Sequence, residues 1–180
     1  MSTTIKQTES LPTTGYPPIG TILYKDTIWQ RVEPYICWRW SARAVIWIVE
    51  GSGDTGDEWH PPLTPTTIST VESWNPATGT WSAITLLPSP LGGYQLIDFG
   101  PYRFTGTVGV DGAAVPFGVQ EAVKRLDAYL AQKFGKPGVS MESINLGGDL
   151  QQTIRRSPTA IAEAMQNSGA ADLLRNYRRI

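Results

Sequence analysis

The sequence predicts an α+β protein: an antiparallel β-sandwich or small barrel, then one long helix and a short helical C-terminal tail. Three observations carry that expectation. Between Ile19 and Val110 the chain repeats short runs of β-branched and aromatic residues, cut by glycine, proline and asparagine turn signals. After Pro116 the apolar spacing changes to that of a helix, with Val119, Val123, Leu126, Tyr129, Leu130 and Phe134 in step. Near the end, Ser157-Pro158 has the cap-then-proline pattern of a helix start and Asn167-Ser168-Gly169 that of a stop.

Taken in order, residues 1–18 are polar and end in Gly15-Tyr16-Pro17-Pro18. They read as an extended N-terminal arm outside the core, because Pro-Pro holds a polyproline-like path. A β-rich domain spans 19–110. Its expected strands are Thr27–Val32, Tyr35–Trp40 and Arg43–Val49, the last apolar throughout from Ala44 and so read as central and covered on both sides. Gly51 to Pro65 reads as a long turn-rich loop. Thr67–Trp74 and Thr80–Ile84 read as a hairpin closed by Asn75-Pro76-Ala77-Thr78-Gly79, with Trp74 and Trp81 near its end. Tyr94–Phe99 and Tyr102–Val108 read as a pair around Gly100-Pro101. Residues 114–135 form a helix packed on this domain through Leu126 and Leu130, stopped by Gly135 and Pro137. Residues 136–180 form a C-terminal extension with a short helix and a terminal segment.

Composition narrows the function. The 180 residues are 41% hydrophobic and only 17% charged, with seven tryptophans and seven tyrosines. An aromatic load of that size in a short chain suggests that some rings meet partners. The net charge of −1 hides an asymmetry: residues 1–120 hold six bases against ten acids, and residues 151–180 five bases against two acids. An acidic body with a basic end suits electrostatic docking, while the charge is too sparse for a groove that neutralises many phosphates. The single cysteine, Cys37, excludes an internal disulfide framework and reads as a structural thiol. The start lacks the hydrophobic segment of a secretory signal, and no apolar run approaches the roughly 18 residues of a membrane span. The chain reads as soluble and intracellular.

Catalytic patterns are weak. His60 stands near Asp54, Asp57 and Glu58, but the spacing fits no known ligand loop, and common nucleophile, phosphate-loop and zinc motifs are missing from the sequence. The expectation is a protein that is not an enzyme, with no metal and no cofactor. The most informative stretch is the end, Asn167 to Ile180. It joins Ala170, Ala171, Leu173, Leu174 and Tyr177 to Arg175, Arg178 and Arg179, a composition suited to docking or to a last amphipathic turn on the chain's own core.

Three stretches occur in a suggestive order: Pro90-Leu91-Gly92-Gly93-Tyr94 with Gly100-Pro101-Tyr102-Arg103-Phe104; Ala114-Val115-Pro116 leading into EAVKRLDAYLA; and the closing NSGAADLLRNYRR. Over roughly residues 34–180 this order resembles the phage head–tail connector (adaptor) family of siphophages and alphaproteobacterial gene-transfer agents. Many relatives begin with a pair of helices, where residues 1–33 here read as arm and strand.

The resemblance implies a structural virion protein of the neck, assembled in the host cytoplasm. Its subunits would form a dodecameric ring beneath the portal, extend the DNA channel without sequence-specific binding, and offer the tail a platform through a tail-side neck or terminator protein. It also implies portal docking by Leu173, Leu174, Arg175, Tyr177, Arg178 and Arg179, whose chemistry independently suits a groove edged with carboxylates. Tyr16, Trp59, Trp74 and Trp81 are the candidate inter-subunit or tail-side contacts. The competing readings are another tail component, such as a tail terminator or baseplate β-domain, and a carbohydrate-binding module using its tryptophans.

Overall fold

The computed structural model describes residues 2–12, 14–20, 25–54, 56–131, 141–145, 151–155 and 163–178, with the backbone alone for 141–145 and 151–155. The class is α+β, as expected. Two compact units are interleaved in sequence: Met1–Pro17 with Cys37–Ala114, and Pro18–Ile36 with Val115–Ile180.

The first unit is built on a five-stranded antiparallel sheet. Its strands are β1 (Thr3–Glu9), β2 (Arg43–Ser52), β4 (Thr66–Asn75), β5 (Thr80–Ala83) and β7 (Phe99–Val108), in the spatial order β1-β2-β7-β4-β5. Two short strands, β3 (Glu58–Trp59) and β6 (Tyr94–Gln95), pair with each other. Along β2 burial alternates: Val45, Trp47 and Val49 are buried, while Ile46 is 40% exposed. The all-apolar run therefore has one covered face, not two. On that face Trp47, Phe104 and Tyr102 meet Trp59, Leu63, Leu86 and Leu96 from the shorter strands and loops. Trp59 lies 4.2 Å from Phe104 and 5.6 Å from Trp47, centroid to centroid. Gly106 sits where β4 and β7 run so close that a Cβ would fall 2.2 Å from the Thr67 carbonyl oxygen.

The expected free arm over residues 1–18 is corrected where β1 lies. Thr3–Glu9 pairs with β2 as the edge strand, with an irregularity between Thr4 and Lys6. Side chains secure it: Trp47 Nε1 donates to Gln7 Oε1 at 2.7 Å, and Trp59 Nε1 to Thr4 Oγ1 at 2.9 Å. These bonds give two buried indole N–H groups their acceptors, which a purely apolar strand could not do. The expected pair around Gly100-Pro101 is also corrected. The β7 strand runs straight through those residues against β2, and Tyr94–Gln95 pairs instead with Glu58–Trp59, inside the stretch read as a loop.

The second unit corrects the two earliest strand expectations. Lys25–Ile36 is a helix, α1, which absorbs Thr27–Val32 and the start of Tyr35–Trp40. Its buried residues Ile28, Trp29, Val32, Glu33 and Ile36 fall at helical spacing, so burial overrode the β preference of Ile, Trp and Val. Cys37 follows with φ of +56°, the left-handed conformation that commonly closes a helix. The long helix, α2 (Phe117–Ala131), starts one residue after Pro116; the expected continuation to 135 lies outside the described residues. Strands β8 (Met141–Asn145) and β9 (Gln151–Arg155) form an antiparallel pair. Two short helices follow, α3 (Ala164–Asn167) and α4 (Ala170–Leu174), then a 3-10 turn over Arg175–Tyr177. The beginning of the helix expected from Ser157-Pro158 lies outside the described residues.

Within this unit α2 packs against α1, α3 and α4. Val119, Ala122, Val123 and Leu126 are buried completely, whereas Leu130 is half-buried. Leu126→Ala should therefore destabilise the protein by about 2–5 kcal/mol, the cost of losing a buried isobutyl group and leaving a cavity. Denaturant unfolding checks this, and a loss near zero would mean that the site collapses around the smaller side chain. Among the described residues no helix is long and apolar enough to cross a membrane.

Candidate docking site

The C-terminal segment folds back on its own unit. Gly169, with φ of +72°, allows the sharp turn between α3 and α4 that a Cβ would strain. Asn167 Nδ2 donates to the Tyr129 hydroxyl of α2 at 3.2 Å. Beyond the turn, Ala170 and Leu174 are wholly buried and Leu173 half-buried. The Tyr177 ring lies beside Gly118 at the start of α2, where an added Cβ would stand 3.3 Å from its hydroxyl. The Arg178 guanidinium lies 5.3 Å from the Tyr35 ring centroid on α1, within cation–π range.

The six residues proposed for docking thus separate. Leu174 is an interior side chain, and this corrects its place among the contact residues: the last amphipathic turn packs on the chain's own helices. Arg175, Tyr177 and Arg178 remain outward. Arg175 is 79% exposed and its contact with Asp172, itself 76% exposed, is 3.2 Å long. Such a solvated pair adds little to the fold and leaves the guanidinium free to change partners. Arg179 lies outside the described residues.

The aromatic candidates separate as well. Tyr16 is 7% exposed and Trp59 only 3%, so neither can contact a partner without unfolding its surroundings. Arg43 lies over the Tyr16 ring at 5.5 Å, and Trp59 belongs to the core. The turn-rich sequence around Trp59 concealed a strand. Trp74 and Trp81, directly opposite each other on β4 and β5, do reach the surface, with ring centroids 5.3 Å apart. Arg103 holds Glu72 bidentately at 2.6 and 2.7 Å and lies 4.7 Å from the Trp81 ring centroid. Those hydrogen bonds first, helped by the Arg103 charge, keep the Glu72 carboxyl below its usual range although burial opposes them.

Beside Trp74 is a groove of about 330 Å³, lined among others by Pro76, Ile97, Asp98, Phe99 and Pro101. Ile97 is 65% and Phe99 74% exposed, and on α2 Phe117 is 89% exposed. Sequence reasoning missed all three, because Ile97 and Phe99 were assigned to a strand and Phe117 to an ordinary helix start. The histidine has a plainer place: His60 Nε2 is 3.1 Å from Glu58 Oε1 next to β3. Among the described residues no group of three or more His, Cys, Asp or Glu side chains is arranged to hold a metal ion.

No family model and no curated protein matches the chain. Three solved structures are similar at 14% sequence identity. Chains from the virion of a native gene transfer agent particle (TM-score 0.47) and from the neck of the empty particle (0.48) are matched over 86% of this chain and 74% of theirs. A chain from the neck of the native particle, computed with C12 symmetry, is matched over 86% of this chain and 79% of its own, with a TM-score of 0.48.

Proposed function

We propose that this chain is a structural neck protein of a phage or phage-like particle, a head–tail connector. It would form a ring beneath the portal, extend the DNA channel and give the tail its platform. The observation that carries this reading is the C-terminal segment, anchored by buried Ala170 and Leu174 while Arg175, Tyr177 and Arg178 face outward. A rigid mount with a solvated aromatic and two guanidiniums loses little entropy on binding and can pair with carboxylates on a partner. The order of the three sequence stretches that resembles connectors supports the same reading.

In this function the docking contacts come from Arg175, Tyr177 and Arg178, together with the terminal Arg179, and not from Leu174. The triple variant Arg175→Glu/Tyr177→Ala/Arg178→Glu should keep the wild-type melting temperature within a few degrees. It should also weaken association with the particle's own portal ring at least tenfold, about 1.4 kcal/mol. Electron microscopy of the mixture reads the result as loss of the added ring of density beneath the portal. A variant that decorates the portal as well as wild type does would sink the docking assignment.

A further inference from the structure

We infer that successive copies of this chain join head to tail, the exposed Phe117 of one copy entering the Trp74–Ile97–Phe99 groove of the next. The inference rests on the ring in the proposed function and names the two surfaces that would build it. A closed ring needs two unlike, complementary patches on each subunit. The structure carries two such patches.

The first is the groove. Three large apolar side chains, Trp74, Ile97 and Phe99, stand 37%, 65% and 74% exposed beside it, an arrangement that leaves apolar surface in water unless a partner covers it. Tyr102, also in its lining, is tied to its neighbour Asp98: its hydroxyl accepts from the Asp98 amide at 2.8 Å and donates to the Asp98 carbonyl at 2.9 Å. A preformed pocket of this kind is where an aromatic anchor contributes most to an interface. The second patch is the outer face of α2. Phe117 opens the helix with its ring 89% exposed, and Lys124, seven residues on, lies on the same face.

Charge selects the pairing. Asp98 is the one charged residue lining the groove, and among the described residues its carboxylate has no partner. Lys124 likewise has no partner for its ammonium, whereas the intervening Glu121 is already held by Arg125 at 2.9 Å. Phe117 in the groove with Lys124 near Asp98 would cover apolar surface and pair two free opposite charges in one contact. A second copy is therefore a better match than an acidic partner or nucleic acid.

The test is sedimentation velocity of the full chain over a concentration series, with Phe117→Asp and Phe99→Asp as separate variants. Both positions are exposed, so each variant should melt like wild type. Wild type should form large assemblies, and each variant alone should stay monomeric. Because the two variants spoil opposite patches, mixing them leaves one intact contact and should give a 1:1 dimer that grows no further. A charge exchange supplies the second reading: Asp98→Lys and Lys124→Asp should each weaken assembly about tenfold, and mixing the two should restore the large assemblies, because alternating copies then pair lysine with aspartate at both patches. A mixture that stays monomeric while wild type assembles, or a Phe variant that assembles like wild type, overturns this interface and leaves the ring reading standing. Wild type that remains monomeric at every concentration overturns both.

Discussion

Leu174→Asp is expected to unfold the helical unit, or to lower its melting temperature so far that little helix survives at physiological temperature. Leu174 is completely buried, on a helix packed against α2, whose Val119, Ala122, Val123 and Leu126 are also closed to water. Truncation to alanine alone should cost about 2–5 kcal/mol. A carboxylate in that apolar site adds a desolvation penalty of several kcal/mol more, since nothing apolar can hydrogen-bond to it. Domains are stable by only about 5–15 kcal/mol, so the sum is comparable to the whole. Helical circular dichroism during a thermal melt, with limited proteolysis as a second probe, checks it. If Leu174 acted chiefly in docking, the variant would melt like wild type and fail only in portal association. That result would return the segment to the class of free tails. On the same grounds, deleting residues 167–180 should destabilise the helices before any binding is measured, so loss of portal association by such a truncation would not identify a docking residue.

How far the fold was legible depends on which physical signal dominated each stretch. The α2 helix was plain because proline, apolar period and length all agreed, and the β4–β5 hairpin because Asn75-Pro76 and Gly79 impose a turn whatever the packing. The α1 helix was hidden because Ile28, Trp29 and Val32 prefer strands in isolation, and Pro34 inside the last turn argues against any helix. Only the helical spacing of its buried residues gave it away, and that spacing is visible once the packing is known. β1 was hidden for the opposite reason. Its residues are polar, and what orders them is pairing with a distant strand plus hydrogen bonds to Trp47 and Trp59. The proposed docking site was half legible. Composition located the arginines and tyrosine, but composition cannot tell a leucine that meets a partner from one that meets its own helix. The distinction between Leu174 and Arg175 exists only in the packing.

The largest electrostatic effect expected in the β unit is at the end of β1. The Glu9 carboxylate takes Arg39 bidentately, with Nε to Oε2 at 2.7 Å and Nη2 to Oε1 at 3.0 Å, and Arg43 Nη1 lies 3.9 Å away. The side chains of Arg39 and Arg43 are 6% and 7% exposed, and that of Glu9 is 19%. Glu9→Gln therefore takes one carboxylate charge away from two buried guanidiniums, and breaking such a pair from one side typically costs about 3–5 kcal/mol. The remaining water access of Glu9 places the expected loss near the lower end, about 3 kcal/mol at neutral pH.

The sign of the pH dependence follows from the same contacts. Burial alone would raise the Glu9 carboxyl above its ordinary value of 4.5, but the Arg39 hydrogen bonds and charge, then Arg43 and Gln7, hold it below. A carboxyl depressed in the folded state contributes stability that is fully present above its ordinary value and is lost as pH falls through the depressed one. Asp57 behaves alike: burial opposes its charge, yet the amides of Ser52 and Ser2 donate to it at 2.8 and 2.7 Å and hold it low. Acid should thus weaken the wild type, and part of that weakening belongs to Glu9 alone. Unfolding free energies of wild type and Glu9→Gln, measured at a series of pH values, isolate that part. The gap should be widest near neutrality and narrow steadily below pH 4.5. A constant gap would mean that Glu9 holds β1 by shape and not by charge; no gap at any pH would mean that the buried arginines find other acceptors, and that the edge strand is kept in place by its backbone ladder and the two tryptophan bonds.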